Sequence, residues 1–306
     1  MRIVSLLPSA TEILYALGLG DNVVGVSHEC DFPEDAKKKP AVISARVDPR
    51  LPSAEIDTQV ARILARGESL YQVHDDLLRK LKPDLIITQD LCHVCAASPG
   101  DLAHALESFK HHPQVLTLKP EYLVDVFEDV RRVGIATEHE RAAEVVAQNL
   151  HDRVEHVHEV ATKHRPKPRV ACIEWLAPVY IPGHWVPEMI ESARGISLFG
   201  RTGQASFPMG AEEILRSKPE IIVIMPCGFG ARRAVEEFRA VGLDEKWKET
   251  PAYKHQRIYG VDANSYFSRP GPRLATGVEL LANLFHGGIH IDVPAGAYEK
   301  YVAEAA

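Results

Sequence analysis

One short passage of this chain is written twice. Leu81-Lys82-Pro83-Asp84-Leu85-Ile86-Ile87 returns as Ser217-Lys218-Pro219-Glu220-Ile221-Ile222-Val223. In each copy a helical pattern stops, a Lys-Pro-acid step follows, and a run of branched apolar residues begins. Proline cannot continue a helix, and a short unbroken apolar run marks a strand buried on both faces in a parallel sheet. The same step in each half points to two α/β units rather than one continuous sheet.

Further strands are predicted at residues 3–7, 23–26, 115–118, 169–173 and 257–261. Helices are predicted near 11–17, over 56–81 with a break at Gly67, and at 187–193, 211–216, 231–240 and 273–285. Between the halves, residues 121–164 read as helix over most of their length, with apolar spacing at Val124, Phe127, Val130 and Val133. A bend or break is expected between Gly134 and Thr137, and Arg165-Pro166-Lys167-Pro168 ends the run. The expected organisation is an N-terminal α/β lobe over 1–120, a bridging helix over 121–166, a C-terminal α/β lobe over 167–286 and a patternless tail over 287–306.

Composition narrows the function. With 45% hydrophobic residues in 306 the chain can bury a large core. A net charge of -7 with no basic stripe argues against nucleic acid as a partner. No apolar run approaches the length of a membrane span, and none of leader length precedes Pro8. A cytoplasmic protein is therefore expected, or a periplasmic one if the start is incomplete. The five cysteines, Cys30, Cys92, Cys95, Cys172 and Cys227, are odd in number in a large chain, so a disulfide framework is not expected.

The opening Arg2-Ile3-Val4-Ser5-Leu6-Leu7-Pro8-Ser9-Ala10-Thr11-Glu12, with Leu17-Gly18, Val24-Gly25-Val26-Ser27 and Asp31-Phe32-Pro33, carries a family resemblance. So do the two Lys-Pro-acid strands, Gly183-His184, and the run from Ser265 through Arg269 to Arg273. Taken in order, these resemble class III substrate-binding proteins, and among them the vitamin B12-binding proteins of ABC importers. The resemblance implies two Rossmann-like lobes, each a parallel-sheet sandwich, bridged by one long α-helix, with a ligand cleft between them. It also implies a monomer that binds cobalamin or a related corrinoid, as a carrier or importer component without chemistry of its own. An ABC permease is the implied partner, with an acid on each lobe for docking; Asp76 and Glu212 are the nearest equivalents. The chain departs from the pattern in an extra segment around 46–72 and in cysteine and histidine on its strand-end loops.

Open α/β sheets bind ligands beyond the carboxyl ends of their strands, and the polar oddities of this sequence follow predicted strands. A corrin needs flat apolar contact with polar tips, for which Tyr71, Trp175, Trp185, Phe229, Tyr266 and Phe267 are candidates. His28, His93 and His184 are candidates for the axial position of the cobalt, His184 first because Gly183 permits a close approach. Pro8 and Ser9 open a helix N-terminus that can meet a ligand amide or phosphate, Glu29 stands beside His28, and Arg269 or Arg273 can hold an anionic group. A second reading takes Cys92-x-x-Cys95 with Cys30 and Cys227 as ligands of a soft metal ion or an iron–sulfur cluster. Cys172, inside a predicted strand, reads as a small buried hydrophobe. An enzyme is not expected: there is no glycine-rich phosphate loop, nucleophile elbow or zinc-hydrolase motif.

Overall fold

The computed structural model describes residues 1–90, 102, 106, 109 and 112–303. The first half of the chain runs β1 (Ile3–Ser5), α1 (Pro8–Ala16), β2 (Val23–Ser27), β3 (Ala41–Ala45), α2 (Ser53–Ala65), β4 (Tyr71–Val73), α3 (Asp75–Leu81), β5 (Leu85–Gln89) and β6 (Gln114–Leu118). Helices α4 (Leu123–Ala136) and α5 (Glu140–Thr162) follow. The second half runs β7 (Arg169–Ile173), β8 (Trp175–Leu176), β9 (Val179–Ile181), α6 (Val186–Ser192), β10 (Ile196–Ser197), β11 (Phe207–Pro208), α7 (Ala211–Ser217) and β12 (Ile221–Ile224). It closes with α8 (Ala231–Ala240), α9 (Leu243–Trp247), α10 (Pro251–Lys254), β13 (Ile258–Val261), α11 (Ala263–Tyr266), α12 (Leu274–Phe285) and β14 (Tyr298–Lys300). The chain divides into two compact α/β units. One comprises Met1–Leu51, Thr58–Pro120 and Val124–Asn149; the other comprises Pro52–Asp57, Glu121–Leu123 and Leu150–Ala306.

The N-terminal unit holds a sheet of order β4-β3-β2-β1-β5-β6, parallel except for β4. Val4, Leu6, Val42, Ile43, Leu78 and Ile86 form its core. The C-terminal unit holds a sheet of order β10-β7-β12-β13-β14, parallel except for β14, and a small antiparallel sheet of order β11-β9-β8. Ile173, Ile222, Ile224, Phe238 and Trp247 lie in its core. In each main sheet the chain leaves its first strand to one side and later returns on the other, so β1 and β5, and β7 and β12, flank a switch point.

The repeated passage has a physical purpose. Lys82 and Lys218 end α3 and α7 in the left-handed conformation, at φ 47° and 51°, and the proline after each prevents the helix from resuming. The acid then clamps the neighbouring strand: Asp84 Oδ2 accepts the Arg2 N–H at 2.6 Å, and Glu220 Oε2 accepts the Arg169 N–H at 2.8 Å. Arg2 and Arg169 return side-chain bonds to the last helical carbonyls, Leu81 and Ser217.

Three expectations need correction. The single bridging helix expected over 121–166 is two helices, divided just after Ala136, at the expected bend or break. Gly134 lets α5 turn back, because a Cβ there would lie 2.3 Å from Ala143 Cβ, and Glu138 takes φ +60° at the turn. Arg131 ties the two together on Glu144 at 2.6 Å. Val126, Phe127, Val130 and Val133 are buried within the N-terminal unit, and α5 passes from that unit into the other at Leu150. The helical run expected to 81 contains the strand β4, antiparallel to β3. The residues after His286 are not a patternless tail. β14 pairs with β13, and Tyr301, 4% exposed, packs edge-on to Phe238 and donates to Asp244.

Candidate functional site

At the N-terminal switch point β1 runs into Leu6-Leu7 and α1, and β5 ends at Gln89. Pro8 and Ser9 begin α1 but are buried, so they pack rather than present a surface. Beneath them Ser5 donates to the Leu7 carbonyl, Thr11 donates to Ser5 Oγ at 2.8 Å, and Cys30 Sγ lies 3.1 Å from Thr11 Oγ1. Cys30 is thus a buried thiol in a hydroxyl chain, 4% exposed.

His28 stands just beyond β2 and is exposed. Its Nδ1 lies 3.2 Å from the Ile43 carbonyl and 3.4 Å from Ser27 Oγ. A carbonyl only accepts, so Nδ1 carries the proton of that bond and the neutral ring keeps its lone pair on Nε2. Glu29 Oε1 is 3.9 Å from Nε2. The Tyr71 ring, on β4 and largely buried, lies 6.3 Å from the imidazole. Cys92, His93 and Cys95 fall outside the described residues.

At the C-terminal switch point the loops after β7 and β12 touch. The Cys227 N–H donates to the Glu174 carbonyl at 3.3 Å. Trp175, half-buried on β8, meets Phe229 edge-on at 5.6 Å, and the Arg233 guanidinium lies 3.6 Å over the Phe229 ring. Sequence reasoning did not single out Arg233. Its signal was position: it stands in the first turn of a helix that opens just after a strand-end loop, one turn beyond Phe229.

Other candidates turn inward. Trp185 is 4% exposed and donates its indole N–H to the Phe267 carbonyl at 2.8 Å, so Trp185 and Phe267 brace the core rather than line an open loop. Phe229 is itself buried beneath Trp175 and Arg233, and Tyr266 ends the short helix α11, with Arg273 5.8 Å from its ring. Arg269 is buried. Cys172, on β7, is also buried, which pushes its thiol up.

His184 takes φ +48°, and its N–H donates to the Gln204 carbonyl at 2.7 Å. A Cβ at Gly183 would lie 1.9 Å from that same carbonyl. The glycine therefore serves a close approach of backbone within the unit, not of a ligand. The His184 ring stacks on Trp185, and its Nδ1 is buried without a partner. Burial holds this imidazole below its ordinary range, with Glu121 pulling the other way.

Among the described residues no three His, Cys, Asp or Glu side chains are grouped to hold a metal ion. With Cys92 and Cys95 outside the described residues, nothing among the described residues supports the second reading. No helix of the described residues is long and apolar enough to cross a membrane.

A family model described as periplasmic binding protein matches residues 3–265. A substrate-binding lipoprotein of an ABC transporter from Bacillus subtilis is 29% identical over 92% of this chain and 78% of its own. A vitamin B12-binding protein of Vibrio vulnificus is 23% identical over 93% of this chain and 89% of its own. Among solved structures, a periplasmic heme-binding protein of Pseudomonas aeruginosa superposes with a TM-score of 0.75 at 19% identity, covering 100% of this chain and 99% of that one.

Proposed function

The chain belongs to the periplasmic binding protein family, in its class III branch, and on that premise we propose that it captures a metal-bearing tetrapyrrole, cobalamin first, for delivery to an ABC permease. The observation that carries this reading is His28. It is a partly exposed imidazole at a strand carboxyl end, whose Nδ1 is held by the Ile43 carbonyl so that Nε2, 3.9 Å from the Glu29 carboxylate, is the nitrogen left to meet a metal. That is how proteins prepare a histidine for a metal, the far nitrogen held by a backbone oxygen. His28 replaces His184 as the proposed axial donor, because the His184 ring is stacked on Trp185 and its Nδ1 is buried.

Trp175 and Arg233, both packed on the buried Phe229, support the reading from the C-terminal unit. They offer an aromatic edge and a cation, suited to a flat ring with amide or carboxylate arms. The relatives' names, vitamin B12-binding and heme-binding, share one ligand chemistry: a macrocycle that holds a metal with an exchangeable axial position. The relatives named lipoprotein or periplasmic also leave the expected cytoplasmic location without support, and we place the protein's work outside the cytoplasm.

The test is an absorption titration with aquocobalamin and with hemin. Coordination by His28 shifts the visible bands of the bound macrocycle, and His28→Ala is expected to bind without that shift and about tenfold more weakly. A shift that survives in His28→Ala removes His28 from the site.

A further inference from the structure

A cavity of about 530 Å³ opens in the C-terminal unit, at the amino-terminal ends of β7, β12 and β13. It therefore lies at the opposite end of that sheet from the strand-end loops described above. Its walls include Arg165, Pro166, Glu220, Arg257, Phe285 and Gly287. The volume is that of a small-molecule site.

Its charge is mostly positive, two arginines against one carboxylate. Arg165 is exposed on the loop after α5 and has no hydrogen-bonding partner among the described residues. Arg257 donates through Nη2 to the Phe285 and Leu284 carbonyls at 2.9 and 3.4 Å, which caps α12 and leaves Nε and Nη1 without partners there. The carboxylate on the wall, Glu220, already accepts the Arg169 N–H. His164 and His286, also on the wall, pack ring to ring at 5.4 Å. His286 Nε2 donates to the Ala193 carbonyl at 3.0 Å. Burial depresses the protonation of His286 first, the bond to the Ala193 carbonyl opposes this, and neighbours including Arg257 and Arg194 add to the depression. Pro166, Pro168 and Phe285 supply apolar walls beside these cations.

We propose that this cavity is a second binding site, for an organic anion whose carboxylate or phosphate pairs with Arg165 and Arg257 while its apolar body lies against Pro166 and Phe285. It is independent of the tetrapyrrole reading and does not share its residues.

The experiment is calorimetric titration of the full chain with phenyl phosphate. Two variants probe the site. Arg165→Gln removes an exposed cation and is expected to weaken binding about tenfold, as loss of one charge-assisted contact does. Gly287→Leu adds bulk at a residue of the cavity wall where a Cβ meets nothing within 4 Å, and is expected to weaken binding by about tenfold or more. Thermal melting and aquocobalamin titration of both variants should match the parent. Weakening in either variant with melting unchanged supports the site. No saturable heat from the parent, or unchanged affinity in both variants, overturns it.

Discussion

At the scale of single residues, the sequence located side chains relative to strands better than it located exposure. It placed His28, Trp175 and Phe229 after strands, where they are. It placed Trp185 and Phe267 there too, and both turned inward, because an indole N–H that finds a backbone carbonyl is worth more buried than open. Gly183 was legible as a close approach, but not what approached it; that depends on the Gln204 carbonyl, which no local pattern announces. A residue with no motif at all makes the clearest pH prediction. Asp129, 2% exposed on α4 and bonded to Arg132, has its carboxyl raised to about 6, chiefly by burial. Unfolded, such a group titrates near ~3.9. The folded state therefore takes the proton first, and this contribution to stability is present below about pH 4 and lost as pH rises through about 6. Asp129→Asn is expected to be more stable than the parent at pH 8 by about 2 kcal/mol and to converge with it near pH 4. Urea midpoints at the two pH values check this.

At the scale of elements, strands bounded by Lys-Pro-acid were legible because proline, a left-handed cap and an apolar run are all local signals. The function of the acid was not legible, since it reaches across to Arg2 or Arg169 on another strand. The break between α4 and α5 was foreshadowed by Gly134, but the return of the chain on itself needed Ala143. β14 was invisible because its three residues are all exposed and carry no alternation; its register comes from β13. The buried anchor of that segment is Tyr301. Tyr301→Ala removes a ring packed on Phe238 and leaves Asp244 without its hydroxyl, and is expected to cost about 3 kcal/mol in a denaturant melt. A loss below about 0.5 kcal/mol would mean that the segment is not docked.

At the scale of the whole molecule, two α/β units, each with its own sheet and core, follow from an echo that any reader of the sequence can find. The ligand does not follow from it, because ligand choice rests on a few side chains of the switch-point loops. The same echo sets out the proposed docking acids: Asp76 and Glu212 are exposed in the first turns of α3 and α7. Reversing both to lysine is expected to leave ligand affinity within about twofold and to lower cellular uptake of the ligand about tenfold, since like charges at a docking face oppose association. Unchanged uptake would remove these acids from the permease contact. The central claim, capture of a metal tetrapyrrole, is tested most directly by calorimetric titration of the full chain with aquocobalamin and with hemin. Saturable one-to-one binding of either macrocycle, weakened by Trp175→Ala and by His28→Ala, is the expected result. No saturable binding of either macrocycle by a folded chain would contradict it.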